Sequence, residues 1–135
     1  MNELSERDLQ LHVSILGWLL IVGHAILLAL GVFVFVLLAG IGAATGDPTG
    51  FAVLGTTGAA VCLLFVALAL PGMAAGVGLL ARKAWGRILA IVVGALGLVN
   101  FPVGTLIGAY TLWVLLQNSA SAYFGAGQPS EQAAA

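Results

Sequence analysis

Long apolar segments alternate with a few short polar breaks along this chain. Charged residues are absent between Asp8 and Asp47, between Asp47 and Arg82, and between Arg87 and Glu131. A helix needs about 20 apolar residues to cross the hydrocarbon core of a bilayer. The first two intervals therefore accommodate one crossing each, and the third accommodates two. The apolar residues form continuous runs rather than the roughly ten-residue alternating segments of a transmembrane barrel, which predicts helices.

The pattern predicts an all-α fold, a four-helix transmembrane bundle with antiparallel helices. Short turns between the apolar runs place successive helices side by side in opposite directions. A polar lead-in precedes a single four-span domain over residues 13–121, and a flexible tail follows it. The predicted segments are the lead-in at 1–12, spans at about 13–38, 52–80, 84–101 and 104–121, and the tail at 122–135.

Glycine and proline mark the predicted breaks and one internal irregularity. GIGAATGDPTG at 40–50 and NFPVGT at 100–105 carry turn residues between apolar runs. Pro71 lies within the second span, where helices in lipid tolerate proline, so we expect one continuous, bent helix. The last two spans have little spare length. A re-entrant hairpin, which returns without crossing the bilayer, is the alternative to a transmembrane pair over 84–121.

The first residues predict a helix start followed by a retained span. SERD at 5–8 fits a capping box, with Ser5 as the cap and Asp8 three residues later. Asp8 and His12 are spaced to pair on that helix. The segment 1–12 is acidic rather than basic, and the next apolar run is about twice the 7 to 15 residues of a signal peptide.

The composition of the chain favours a lipid environment over water. Hydrophobic residues make up 61% of the sequence and charged residues 7%, whereas an average soluble domain is about 25% charged. A soluble fold with this composition would expose enough apolar surface to aggregate. The net charge of −1 and the lack of a basic stripe exclude nucleic acid as an expected partner. The expected partner is the lipid bilayer.

Basic residues cluster between the second and third predicted spans. Arg82, Lys83 and Arg87 lie beside Trp85, and Arg7 is the remaining cation of the chain. Four crossings place both termini and this loop on one face. Because cytoplasmic loops carry the excess of Lys and Arg, we predict that both termini are cytoplasmic. Trp85 suits the headgroup level and the cations can snorkel to phosphate, so we predict lipid headgroup contact for the four residues of the cluster.

His24 is the candidate polar site inside the membrane. An ionisable residue within a span is a functional hypothesis by default. The first interpretation is a hydrogen bond to a neighbouring helix, for which Tyr110 and Thr111 lie at a suitable depth. The alternative is a small oligomeric channel or transporter with His24 on the pathway. Asn100 is expected to serve its turn, and Cys62 to pack as a small apolar residue.

Signatures of enzymes do not occur in the sequence. It contains no phosphate loop, no HExxH, no nucleophile elbow and no carboxylate pair within a span. A single cysteine cannot form an intrachain disulfide or a thiolate metal cluster. We therefore expect a non-enzymatic protein without catalytic residues, cofactor or metal. The GxxxG patterns at 72–76 and 104–108 suit close helix packing, with a second copy or a larger membrane complex as the expected partner.

The segment GLLARKAWGRILAIVVGALGLVNFPVGTLIGAYTLWVLL at 78–116 resembles the C-terminal hairpin of small bacterial four-helix integral membrane proteins of unknown function. The resemblance implies a bacterial inner membrane and four spans, and it implies no activity or cofactor. The positions that carry it are Arg82, Lys83, Trp85, Arg87, Phe101, Pro102, Gly104, Thr105, Gly108, Tyr110 and Trp113.

Overall fold

The described part of the chain is helical throughout. The computed structural model describes residues 5–99 and 102–125, and these residues form five α-helices and no strand. The predicted all-α class is confirmed. The helices are α1 (Glu6–Ala44), α2 (Pro48–Leu80), α3 (Ala84–Gly97), α4 (Val103–Leu115) and α5 (Asn118–Gly125).

The first two helices are longer than their predicted spans, 13–38 and 52–80. α1 has 39 residues and α2 has 33, and both are long and apolar enough to cross a membrane. α1 continues through residues 39–44, because isolated glycines weaken a helix without ending it. α2 is continuous through Pro71, as the sequence predicts.

The next two helices are shorter than the predicted spans at 84–101 and 104–121. α3 has 14 residues and α4 has 13, fewer than the roughly 17 to 25 residues of a crossing helix. α4 ends at Leu115 because polar residues follow it, and such residues compete with the helix for backbone hydrogen bonds. Asn100 and Phe101, in the predicted turn, lie outside the described residues.

α5 corrects the predicted tail at 122–135. It begins at Asn118, within the predicted fourth span, and runs to Gly125. Phe124 is buried in this helix at 2% exposure. The apolar pair Tyr123–Phe124 thus packs as part of the fold rather than in a flexible segment. Residues 126–135 of the predicted tail lie outside the described part.

Local hydrogen bonds mark the start of α1 and the turn that follows it. Ser5 precedes the first helical residue, and its hydroxyl accepts a 3.3 Å hydrogen bond from the amide of Asp8 and donates to the Asp8 carboxylate at 2.6 Å. The predicted cap is therefore confirmed. After α1, Gly46 adopts a positive φ of 68°, and the Asp47 carboxylate accepts a 2.8 Å bond from the amide of Gly50. This turn is built from the glycine and aspartate that normally end and begin helices.

The end of α2 adopts a Schellman motif with an unusual residue. The amide of Lys83 donates to the carbonyl oxygen of Gly78 at 2.9 Å, and the amide of Arg82 donates to that of Leu79 at 3.1 Å. Arg82 occupies the left-handed position with φ 55°. Glycine is the usual residue there, because a side chain is sterically disfavoured at positive φ.

Tertiary contacts divide the chain into two compact units. The first joins the chain up to Ile21 with the chain from Ala74 onward, and the second is Val22–Met73. The sequence predicts a single domain over 13–121 instead. The long helices α1 and α2 each contribute to both units, which hydrophobicity alone does not reveal.

The first unit contains a conventional apolar core. Leu9, Val13, Leu16 and Leu20 are spaced by four, three and four residues, which places them on one face of α1. All four are at most 2% exposed. They cluster with buried residues from the end of α2 and from α3 to α5: Ala75, Leu79, Ala90, Val114, Leu115, Ala120 and Phe124.

The second unit is a hairpin of two helices with a different interior. Its buried residues are all glycine or alanine, and its large apolar side chains are half-buried or exposed. A Cβ atom added to Gly31 would lie 2.6 Å from Cβ of Phe65, and one added to Gly58 would lie 3.3 Å from Cβ of Leu38. The helices thus approach closely where glycine faces a larger side chain. The buried positions are Gly31, Gly42, Gly58, Ala69 and Gly72.

Both GxxxG patterns are used for packing within the chain. In the first unit, a Cβ at Gly76 would lie 2.7 Å from the carbonyl oxygen of Gly17, and one at Gly108 would collide with the carbonyl oxygen of Gly94. In the second unit, Gly72 faces a side chain of α1. These glycines therefore explain intrachain contacts and do not by themselves indicate a second copy.

Candidate functional site

Arg87 lies in the first turn of α3 and reaches the end of α4. Its Nε and Nη2 atoms donate hydrogen bonds of 3.0 and 2.8 Å to the carbonyl oxygen of Leu115. Leu115 is the last residue of α4, where carbonyl groups lack helical partners and the helix dipole favours a cation. Two donor groups of Arg87 thus serve the protein, and its predicted headgroup contact stays a prediction.

Arg82 also has a partner within the chain. Its guanidinium carbon lies 4.9 Å from the ring centroid of Tyr123 in α5. A cation over an aromatic face at this distance is an attractive contact. The first and third cations of the cluster thus hold α4 and α5 against the start of α3, a role that the sequence does not reveal.

Lys83 and Trp85 remain the outward members of the cluster. Lys83 is exposed at the N-cap of α3 and its side chain makes no capping bond. Trp85 is 51% exposed, and the rest of its indole packs over Gly78, where an added Cβ would lie 3.0 Å from Cη2. Both side chains are exposed, and their predicted headgroup contact stays a prediction.

A pocket lies beside this cluster, between α3 and α5. It has a volume of about 180 Å³, and Arg87 and Ser121 are its polar lining residues. The remaining walls come from Ala84, Ile88, Phe124 and Gly125. The pocket combines one guanidinium with a mainly apolar wall, and Arg87 already bonds to Leu115.

A second polar cluster joins α1 to α4. His12 Nδ1 and the Tyr110 hydroxyl are hydrogen-bonded at 2.8 Å. The Trp113 ring stacks on Tyr110 at 6.3 Å between centroids, and its edge contact with His12 is 6.4 Å. The predicted pairing of His12 with Asp8 is therefore wrong, since Asp8 bonds to Ser5 instead. The i,i+3 spacing of Tyr110 and Trp113 is the one sequence signal for this cluster.

The three residues of the predicted intramembrane site belong to different units, His24 to the second and Tyr110 and Thr111 to the first. The Tyr110 hydroxyl bonds to His12, and the Thr111 hydroxyl donates 2.7 Å to the carbonyl oxygen of Ile107 in its own helix. Thr111 is fully buried, and its methyl group would lie 3.0 Å from a Cβ at Gly94. Thr111 thus contributes to the packing of α4 against α3.

His24 lies in the hairpin unit, against α2. A Cβ atom at Gly72 would collide with the imidazole ring, at Nε2, Cδ2 and Cε1. His24 is half-buried. The imidazole therefore packs against α2 at Gly72. This contact is possible only because residue 72 has no side chain.

Metal-binding groups and reactive thiols are sparse in the described residues. Within residues 5–99 and 102–125, no three His, Cys, Asp or Glu residues come close enough to hold a metal ion. Cys62 is a free, half-buried thiol.

Comparison with known protein families, with curated proteins and with solved structures finds no match to this chain.

Proposed function

We propose that this chain is a multi-pass integral protein of the bacterial inner membrane. In this proposal α1 and α2 cross the bilayer, both termini are cytoplasmic, and the protein acts without catalysis. It works through helix packing in the membrane, with a second copy or with a larger membrane complex. The resemblance of residues 78–116 to small bacterial membrane proteins supports the location.

The observation that carries the proposal is the interior of Val22–Met73. The buried positions there are glycine or alanine, while the large apolar side chains are half-buried or exposed. In water, a helical hairpin needs buried large side chains, since burial of apolar surface drives folding. In lipid, helices associate through small residues that allow close backbone approach, and their outer faces are apolar. The α1–α2 hairpin of this unit therefore packs as helices do in lipid.

The outer faces of α1 and α2 are also apolar, which supports a lipid environment for both helices. Only 11% of the most apolar window of each helix is buried. Leu30, Phe33 and Val36 of α1 and Leu63 and Leu64 of α2 are each between 48% and 68% exposed. Soluble monomers rarely expose contiguous apolar patches of this kind.

Charge supports the proposed orientation. Arg82 and Lys83 follow α2, and Arg7 lies in the first turn of α1, so all three cations fall at one end of the two long helices. The α1–α2 turn at the other end carries Asp47 and no cation. The excess of Lys and Arg marks the cytoplasmic side.

Reporter fusions test the crossing of α1 and α2. We expect a reporter inserted at Asp47 to be active on the periplasmic side and one after Lys83 to be active on the cytoplasmic side. A matched fusion after Gln128 should agree with the one after Lys83. Equal sidedness at Asp47 and Lys83 would contradict the proposal, as would release of the protein from membranes by alkaline carbonate.

Native mass spectrometry of the protein, extracted gently from its own membrane, tests the mode of action. A defined homo-oligomer or a stoichiometric partner is expected. A bare monomer that binds only lipid would contradict action through helix packing. The contact of His24 with Gly72 favours packing over the alternative of a channel with His24 on its pathway.

A further inference from the structure

We propose that α3 and α4 form a re-entrant hairpin that enters the bilayer from the cytoplasmic side and turns among the acyl chains. The tip of this hairpin, of which the structure describes residues 98, 99, 102 and 103, then contacts hydrocarbon and not the periplasm. The inference rests on the proposed membrane location. It replaces the third and fourth transmembrane spans predicted from the sequence.

Helix length is the first argument for a return within the bilayer. α3 and α4 have 14 and 13 residues. At 1.5 Å per residue each is roughly 20 Å long, against about 30 Å for the hydrocarbon core. α1 and α2 do not share this shortage, since they have 39 and 33 residues.

The described residues of the hairpin tip are apolar and exposed. Val99 is 86% exposed, and Leu96, Val103 and Leu106 around it are 65% to 72% exposed. The described residues from Ile88 to Leu116 include no charge. A tip that faced water would place this apolar patch in the least favourable solvent. Acyl chains are the occupant that matches its chemistry.

On the α3 side of the tip, the backbone groups of Leu98 are satisfied from within the chain. The Thr105 hydroxyl donates a 2.9 Å hydrogen bond to the carbonyl oxygen of Leu98, just after the end of α3. The amide of Leu98 bonds back to the carbonyl oxygens of Gly94 and Ala95 at 3.2 Å. Non-helical backbone at membrane depth needs such internal partners, because no water is present. The α1–α2 turn, by contrast, uses the exposed carboxylate of Asp47.

Glycines bring the two helices of the hairpin together. A Cβ at Gly97 would lie 3.2 Å from the carbonyl oxygen of Gly104. A Cβ at Gly108 would collide with the carbonyl oxygen of Gly94. The hairpin is therefore a narrow wedge held by backbone contact, which is the packing that lipid favours.

The two base ends of the hairpin lie at one level. Arg87 in the first turn of α3 bonds to Leu115 at the last residue of α4. Lys83 precedes α3, and Gln117 and Asn118 follow α4. Polar and charged groups thus gather at the base while the tip has none in the described residues. This gradient orients the wedge with its base at the headgroups and its tip in hydrocarbon.

Accessibility of single cysteines tests the inference in the full-length protein. In a Cys62→Ala background, we would place one cysteine each at Thr49, Ala81 and Val99, which are all exposed. A membrane-impermeant maleimide would be applied to intact spheroplasts and to inverted vesicles. We expect Thr49→Cys to react from the periplasmic side and Ala81→Cys from the cytoplasmic side. Val99→Cys should not react with the maleimide from either side, and it should react once the protein is unfolded in denaturing detergent.

Each departure from this result has its own meaning. Periplasmic labelling of Val99→Cys would overturn the re-entrant hairpin in favour of two complete spans. Cytoplasmic labelling would overturn it in favour of a hairpin outside the bilayer. Reaction of Thr49→Cys from the cytoplasmic side would refute the proposed crossing of α1 and α2, independently of the hairpin.

A depth measurement excludes simple burial of Val99 in a protein interface. A fluorophore on Val99→Cys would be introduced before reconstitution into vesicles that contain lipids with nitroxide groups at different acyl positions. Strongest quenching by a nitroxide deep in the acyl chain is expected. Strongest quenching by a headgroup nitroxide, or no quenching at any depth, would overturn the inference.

Discussion

The guanidinium of Arg87 donates two hydrogen bonds to the carbonyl oxygen of Leu115, at 3.0 and 2.8 Å. A side chain at the start of α3 therefore caps the end of α4. Because both bonds come from a charged donor, we expect Arg87→Ala to lower the free energy of unfolding by about 1.5–3 kcal/mol. Thermal unfolding in detergent, followed by circular dichroism, measures this loss.

Lys83→Ala is the matched control for Arg87, since it removes a cation of the same cluster that is exposed and makes no capping bond. We expect the midpoint of thermal unfolding of Lys83→Ala to stay close to that of the parent protein. Arg87→Lys should recover only part of the loss, because an ammonium group lacks the planar fork of the guanidinium. Equal effects of Arg87→Ala and Lys83→Ala would argue that charge, and not the Leu115 cap, matters.

Arg82 combines an unfavourable backbone conformation with a favourable ring contact. A side chain at φ 55° costs about 1–2 kcal/mol relative to glycine, and an exposed cation–π contact with Tyr123 contributes about 0.5–1 kcal/mol. We expect Arg82→Ala to destabilise the protein and Arg82→Gly to be neutral or stabilising. Chemical denaturation in mixed micelles would rank the two variants, and the reverse order would refute this account.

Gly72 is required because the imidazole of His24 occupies the space beside it. Gly72→Ala should destabilise the α1–α2 hairpin by about 1–3 kcal/mol, as overpacking of a filled interior does. The loss should shrink in a His24→Ala background, where the ring is gone. Stability in detergent of the four proteins of this double-mutant cycle measures the coupling.

Gly55→Ala on the same helix provides the control for Gly72. An added Cβ there meets no atom within 4 Å, so we expect no loss of stability, and alanine is the better helix former. A loss at Gly72 that is independent of residue 24 would show that another contact is responsible.

His12 and Tyr110 hold α1 against α4 through a 2.8 Å hydrogen bond. Tyr110→Phe removes the hydroxyl and keeps the ring that stacks on Trp113, so we expect a loss of about 0.5–1.5 kcal/mol. Once His12 is replaced by alanine, Tyr110→Phe should have almost no effect. Additive losses in this cycle, measured by thermal unfolding, would argue against the bond.

The helical class, one helix cap and the continuity of α2 could be predicted from the sequence. Long apolar runs predict helices in lipid because composition and length decide whether a segment suits that solvent. The cap at Ser5 was equally predictable, since it depends on residues within three positions along the chain. Asp47 was predicted only as part of a turn, and the structure adds its role as the cap of α2. Pro71 within one continuous α2 follows from the same local reasoning.

The candidate sites were less predictable. The sequence places His24, Tyr110 and Thr111 at a similar depth, but Tyr110 bonds to His12 and Thr111 to its own helix. Depth is a property of one helix, whereas partnership depends on how each helix is rotated against its neighbour. The same reason separates the basic cluster into Arg82 and Arg87, which face the protein, and Lys83, which faces outward.

The sequence by itself determined that this protein is helical, that α1 and α2 suit a bilayer, and where its charge lies, because these follow from composition and local spacing. Only the tertiary structure decided that Arg87 caps the end of α4, that α5 packs Phe124 into the core, and that the glycine patterns serve the chain itself. Those outcomes depend on contacts between residues far apart in the chain. Such contacts form only when close-packed helices bring a particular side chain against a particular gap.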